Sequence, residues 1–255
     1  MDLPLARSVA SRIDVLAEAG STNAVLRASS DDALAWPHLS VLLTENQTAG
    51  RGRLDRTWTA PPGASLAVSV ILRRLPAVEA RGWIPLAAGA AMADAIAEQL
   101  PERTVQVKWP NDVLVGEKKI CGILAETARD AVIVGTGVNT AMTREELPVP
   151  TATSFEVEGV VVDADRLLAR YLGGLDALVG ALATMGDAVS SGLHSAVLRR
   201  CVTIGSAVLV SLPGDRTLEG VAVAIDADGR LVVRADGVEH AVSAGDVVHV
   251  RPTAP

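Results

Sequence analysis

Lysine is almost missing from this chain. Of 23 basic residues among 255, 20 are arginine and only three are lysine. Cysteine is as scarce, with Cys121 and Cys201 alone. Two thiols make no disulfide framework, and they read as packing residues of a reduced, intracellular protein. Aromatic residues number four Trp, one Tyr and one Phe, yet 49% of the chain is apolar, with much Ala and Val. That is the composition of a globular core and not of a disordered chain, and the length allows one large domain with a small appendage. The net charge of −7 and a pI near 5.1 oppose the sign expected of a general nucleic-acid binder. The N-terminus MDLPLARSVA carries an early acid and no apolar core, so it does not read as a signal peptide. The most apolar helical stretch, Trp83 to Leu100, is interrupted by Pro85, Gly89, Asp94 and Glu98, which makes it too polar to span a bilayer. The expectation is a cytoplasmic protein, with no membrane and no nucleic acid as partner.

Common catalytic signatures are missing as well. His38, His194, His240 and His249 are scattered, with no CxxC, HxH or HExxH, so no protein-built metal site is expected. No GxSxG elbow announces a nucleophilic hydrolase, and no GxxxxGK[ST] announces a P-loop. Gly135-Thr136-Gly137 begins like a dinucleotide fingerprint, but Thr140 stands where the third glycine is needed.

What is present is a mixed pattern of strands and helices. Strands are expected at Ile13–Glu18, within HLSVLLTEN, and at SLAVSVILRR, where Leu66, Val68, Val70 and Leu72 mark one face of a half-buried strand. Further strands are expected at 105–108, 113–115, 119–126 and 131–137, the second and third joined by a Gly116-Glu117 hairpin. Helices are expected from a Ser21 cap to about Ser29, over 82–100, 163–183 and 187–200. From Ile204 the chain turns to short strands broken at Pro213-Gly214-Asp215, Asp228-Gly229, Asp236-Gly237 and Ala244-Gly245, the pattern of a small barrel. This places a boundary near residue 202, with domains of 1–201 and 202–255.

Two stretches stand out chemically. All three lysines, Lys108, Lys118 and Lys119, fall within KWPNDVLVGEKK. Lysine offers a compact point charge where arginine offers a wide fork, so the cluster suggests an anion site, or else chance in a Lys-poor chain. Loop 46–58 interleaves Arg51, Arg53 and Arg56 with Gly50 and Gly52 and ends at Trp58. It suits closure over a phosphate or carboxylate, and equally a solvated loop. Asn111 and Asp112 are natural turn residues. Asn139 either closes a turn or pairs with an adenine edge.

In order along the chain, Ser21-Thr22-Asn23, Gln47-Thr48-Ala49-Gly50-Arg51-Gly52-Arg53 with Trp58, KWPNDV, KKICGILAE and GTGVN resemble the biotin–protein ligases. The resemblance spans about residues 12 to 140. It implies an α+β fold: a mixed, largely antiparallel sheet flanked by helices, like the class II synthetases, with a C-terminal SH3-like β-barrel. It also implies a two-step reaction, in which biotin and MgATP give biotinyl-5′-AMP and the adenylate then acylates a lysine of a biotin carboxyl carrier domain of acyl-CoA carboxylases. Mg²⁺ would be held mainly through the ATP phosphates. On this resemblance Ser21, Thr22, Asn23 and Gln47 hold biotin, and Gly122 and Ile123 line its pocket. Arg51, Gly52 and Arg53 close over biotin and the adenylate, and Lys108 bridges the biotin carboxylate and α-phosphate. Arg56, Trp58, Asn111 and Lys119 face the nucleotide, and Asn139 the adenine. With only 20 residues before Ser21, a monofunctional ligase lacking the N-terminal winged helix of the repressor type is expected. A homodimer is left open. The competing expectations are a lipoate- or octanoate-transferring enzyme of the same architecture and a non-catalytic biotin sensor.

Overall fold

A computed structural model describes residues 1–54, 56–212, 216–243 and the strand backbone of 246–249. Its centre is a seven-stranded sheet in the order β1-β2-β5-β9-β8-β7-β6. The strands are β1 (Arg12–Leu16), β2 (Ser40–Thr44), β5 (Ser65–Leu72), β6 (Val105–Lys108), β7 (Asp112–Val115), β8 (Lys118–Ala128) and β9 (Ala131–Asn139). Only β1 and β2 run parallel; every other neighbouring pair is antiparallel. Two-residue strands β3 (Gly50–Arg51) and β4 (Thr57–Trp58) form a separate hairpin within loop 46–58.

One face of the sheet is covered by α1 (Pro4–Val9), α3 (Ile84–Gln99) and α4 (Ala164–Met185). Leu66, Val68, Val70 and Leu72 of β5 point into this core, as their alternation predicts. The alternation also predicts a half-buried strand, whereas all eight residues of β5 are buried. The opposite face is not left to solvent: α2 (Thr22–Ala28) covers part of it, with Leu26, Leu42, Ile71 and Ile133 in a second small core. The rest of that face holds the cavity described below. Helix α4 is long and apolar enough by composition to cross a membrane. Its buried residues, Leu167, Leu168, Tyr171, Leu172, Leu175, Val179 and Leu182, recur at helical spacing and pack into the main core.

Helix ends follow ordinary capping chemistry. Ser21 caps α2, Asp163 caps α4, and Gly186 ends α4 with φ +83°. The helix expected over 187–200 is much shorter, since α5 covers Leu193–Leu198 only. Asp187 accepts the amides of Val189 and Ser190, which turns the chain, and Gly192 stands at φ +78°. The 82–100 helix begins instead as a 3₁₀ turn, Val78–Trp83, ahead of Pro85.

The C-terminal strands, β10 (Ala207–Leu212), β11 (Arg216–Ile225), β12 (Leu231–Ala235), β13 (Val238–Val242) and β14 (Asp246–His249), make a five-stranded antiparallel sheet. The expected turns at 213–215 and 244–245 lie outside the described residues. Two indoles tie this sheet to the first: Trp83 Nε1 donates to the Ala227 carbonyl at 2.7 Å, and Trp109 Nε1 to that of Gly229 at 3.0 Å. Trp109 is 2% exposed, so it is a core residue at the junction.

Candidate active site

The sheet face away from α3 and α4 carries a cavity of about 150 Å³. Its floor follows from the register. Ala67, Gly137, Gly122, Asp112 and Lys108 lie in one cross-strand row, and Ser69, Gly135 and Leu124 in the next but one. Small residues leave room above the sheet. A Cβ on Gly137 would fall 2.6 Å from Trp58 Cε2, so the indole lies directly on the strand. A Cβ on Gly135 would overlap the Asn23 side-chain amide. Trp58 Nε1 is buried there with no partner among the described residues.

One wall is a polar network at the start of α2. Ser69 Oγ, fully buried, lies 2.8 Å from Thr22 Oγ1 and donates to Asn23 Oδ1 at 2.6 Å. Gln47 Oε1 accepts from Thr22 N at 2.9 Å and Thr22 Oγ1 at 3.1 Å. The Asn23 amide donates to Glu126 Oε2 at 2.7 Å and to the Leu124 carbonyl at 3.2 Å. Ser21 Oγ accepts from Ala24 N, so this hydroxyl works as a helix cap while lining the cavity.

The other wall is cationic. Arg51, Arg53, Arg56 and Lys119 line the cavity together with Asp112 and Asn111. Arg53 Nη1 donates to Asn111 Oδ1 at 3.1 Å, and Asn111 Nδ2 donates to the Ile123 carbonyl at 2.8 Å. Burial holds the Arg53 pKa below its ordinary value. Lys119 Nζ pairs with Asp112 at 2.6 Å and sits 5.5 Å from the Trp58 ring centre. Arg51 Nη2 reaches Glu126 at 3.3 Å. The site therefore sets a network of hydroxyls and amides, anchored on Glu126, against four cations over a floor of small residues. Such a set can orient a neutral polar ring at one end and gather phosphate and carboxylate at the other.

Comparison with known proteins agrees. Residues 19–139 match the Biotin/lipoate A/B protein ligase family, and residues 203–250 the Biotin protein ligase C terminal domain. A biotin--[acetyl-CoA-carboxylase] ligase of Mycobacterium tuberculosis is 40% identical over 244 residues, 94% of this chain and 90% of that one. The chain belongs to the biotin protein ligases. A Paracoccus denitrificans ligase of the same description is 31% identical over 91% of this chain and 98% of its own. The biotin protein ligase of Leishmania major in complex with biotinyl-5-AMP is 28% identical, with a TM-score of 0.63 over 92% of this chain and 99% of that one. That of Aquifex aeolicus in complex with biotin and ATP has the same fold, at 24% identity and a TM-score of 0.75, covering 94% of this chain and 99% of that one.

Within this ligase, the structure gathers most of the expected residues on one cavity: Ser21, Thr22, Asn23, Gln47, Arg51, Gly52, Arg53, Arg56, Trp58, Asn111, Lys119, Gly122 and Ile123. Two expected residues are not among its lining. Lys108 stands on the edge strand at the far end of the floor row, half-buried, with burial lowering its pKa and Asp112 opposing that shift. Asn139 is 3% exposed and gives its amide to the Thr153 carbonyl at 2.9 Å, which ties down the following loop. Three residues were missed. Ser69, Asp112 and Glu126 each hold another site side chain in place. Asp112 and Glu126 lie inside motifs quoted for the resemblance, and their charge beside so many cations was the available signal. Ser69 sits mid-strand with nothing to mark it.

Proposed function

We propose that this ligase activates biotin with MgATP as biotinyl-5′-AMP and passes the biotinyl group to a lysine of the biotin carboxyl carrier domain of an acyl-CoA carboxylase. The observation that carries this is the pairing of one polar network with four cations across a glycine floor. Biotin offers a neutral, hydrogen-bonding head and an anionic tail, and the two walls complement those ends in order. Thr22, Asn23 and Gln47 take the head. Lys119 and the arginines take the carboxylate and the α-phosphate.

Attack of a carboxylate on a phosphate brings two anions together, so fixed cations in a water-poor cleft lower the barrier. Lys119 is the better candidate than Lys108 for the carboxylate–phosphate contact, because it lines the cavity. Asp112 holds its ammonium in place until the phosphates arrive. Among the described residues no group of three or more His, Cys, Asp or Glu is gathered. Mg²⁺ would be held mainly by the nucleotide phosphates, with Asp112 an acidic side chain lining the cavity. The cavity is smaller than the roughly 300–1,000 Å³ usual for ligand sites, so substrates must push Trp58 and the arginine hairpin outward. Their return over the adenylate would shield a mixed anhydride from water. The second step requires no enzyme nucleophile, since the carrier's lysine attacks the acyl carbon and AMP leaves. Residues 1–201 would supply this chemistry, with 202–255 docked through Trp83 and Trp109.

The test is biotin-dependent release of pyrophosphate from MgATP, followed by transfer of label to a carrier domain. Release that is independent of biotin, or that lipoate or octanoate supports equally well, would reject the reading.

A further inference from the structure

Glu126 joins the two walls of the cavity. Its side chain is 17% exposed, and its Oε2 accepts from Asn23 Nδ2 at 2.7 Å. Arg51 Nη2 reaches Oε1 and Oε2 at 3.3 and 3.4 Å, and Arg27 Nη1 lies 3.7 Å from Oε1. These bonds differ in kind. Asn23 is 4% exposed, and Ser69 donates to its Oδ1, so its amide group can face only Glu126 and the Leu124 carbonyl. That bond is short, charge-assisted and screened from water. Arg51 is about half exposed, and its contacts are longer than the 2.7–2.9 Å or so of a strong guanidinium–carboxylate bond. An exposed pair of this sort is weak.

We propose that Glu126 is a positioning residue with two separable tasks: it fixes the Asn23 amide at the biotin end and holds Arg51 as a counter-ion that nucleotide phosphate must displace. The proposal rests on the biotin-ligase reading above. It follows that Glu126 favours biotin binding through Asn23 and competes with ATP for Arg51. Neutral glutamine in its place still accepts from Asn23 but no longer holds Arg51 by charge. Alanine does neither.

The experiment measures the biotin Kd by calorimetry, and kcat and KM for MgATP in pyrophosphate release, for wild type, Glu126→Gln and Glu126→Ala. Biotin-dependent release by the wild type is the control: its absence refutes the ligase reading and not the role of Glu126. With that control met, Glu126→Gln should lower the KM for MgATP about two- to fivefold, the worth of an exposed ion pair. Its biotin Kd should rise no more than about fivefold, as the acceptor is conserved and only its charge is lost. Glu126→Ala should raise the biotin Kd about tenfold or more, the usual loss of a bond to a charged group. An unchanged or higher KM for MgATP in Glu126→Gln overturns the competition with phosphate. A biotin Kd in Glu126→Gln as high as in Glu126→Ala overturns the hydrogen-bonding role. Should Glu126→Ala fail to fold, Glu126→Met, which keeps the length and removes the acceptor, takes its place, and a biotin Kd in that variant no higher than in Glu126→Gln overturns the hydrogen-bonding role.

Discussion

Gly135 and Gly137 lie two residues apart on the same face of β9, and the same methyl group should have opposite consequences at each. At Gly135 the new Cβ overlaps the Asn23 amide and approaches Asn23 Cγ to 2.8 Å. Asn23 cannot step aside, because Ser69 holds one end of the amide and Glu126 with the Leu124 carbonyl the other. Displacement forfeits a buried neutral bond and a charge-assisted one, together about 2.5–4 kcal/mol. Alanine in a strand recovers about 0.5–1 kcal/mol of backbone entropy. The net cost for Gly135→Ala is about 2–3 kcal/mol, which for a domain of this size lowers Tm by roughly 5–12 °C. At Gly137 the three atoms nearest the methyl all belong to the Trp58 indole. Trp58 belongs to a two-residue strand, is half-buried, and its Nε1 has no hydrogen bond to lose. Gly137→Ala should therefore change unfolding by about 1 kcal/mol or less, while the displaced indole costs about tenfold or more in biotin affinity through overpacking. Thermal unfolding without ligand and biotin titration separate the two. Gly137→Ala as the more destabilising substitution would refute the reasoning.

Other outcomes follow from the same geometry. Lys119→Ala should reduce adenylation roughly 10²–10³-fold, the usual loss for one preorganised charge-stabilising group; Lys108→Ala should cost less, and the reverse order in a pyrophosphate assay would return the main role to Lys108. Arg51→Ala should leak adenylate from the cavity, detected as free biotinyl-5′-AMP, and retention equal to wild type would contradict a lid. Leaked adenylate acylates amines, but Lys119 is ion-paired and Lys108 and Lys118 are both half-buried, so self-label in that variant should map by mass spectrometry first to the exposed Met1. The buried Tyr171 hydroxyl faces only the Thr136 hydroxyl among the described residues, and the two make no well-formed hydrogen bond. Tyr171→Phe should thus unfold at the same denaturant concentration or higher, by up to about 1 kcal/mol, and a larger loss of stability would mean that the hydroxyl is bonded.

The cavity-side chemistry was legible where the backbone is regular. Val105 and Val107 alternate toward the core, which puts Lys108 on the cavity face, and so it falls. The same alternation applied to β8 would turn Lys119 inward with Cys121 and Ile123. A β-bulge at Ile120, between the Val113–Cys121 and Leu114–Lys119 pairs, breaks that period, so Ile120 and Cys121 both face the core and Lys119 emerges beside Asp112. No residue type announces a bulge of this kind, so the sequence does not show that Lys119 lies beside Asp112 on the cavity face. Asn139 shows a related ambiguity: a turn residue and a ligand residue look alike in sequence, and the structure adds only that its amide holds the Thr153 carbonyl. The full burial of β5 needed α2 in place, and no pattern within Ser65–Leu72 says what lies over its second face. The helix over 187–200 was overextended because Asp187 and Gly192 were read as helix residues when they make turns.

The account rests on one cavity doing acyl-adenylate chemistry with biotin. Its most direct test is pyrophosphate release from MgATP by the purified chain with and without biotin, with Lys119→Ala in parallel. The account predicts release only when biotin is present, a burst matching one adenylate per chain when no carrier domain is added, and a loss of roughly 10²–10³-fold in the variant. Release without biotin, or a variant as active as wild type, would contradict it.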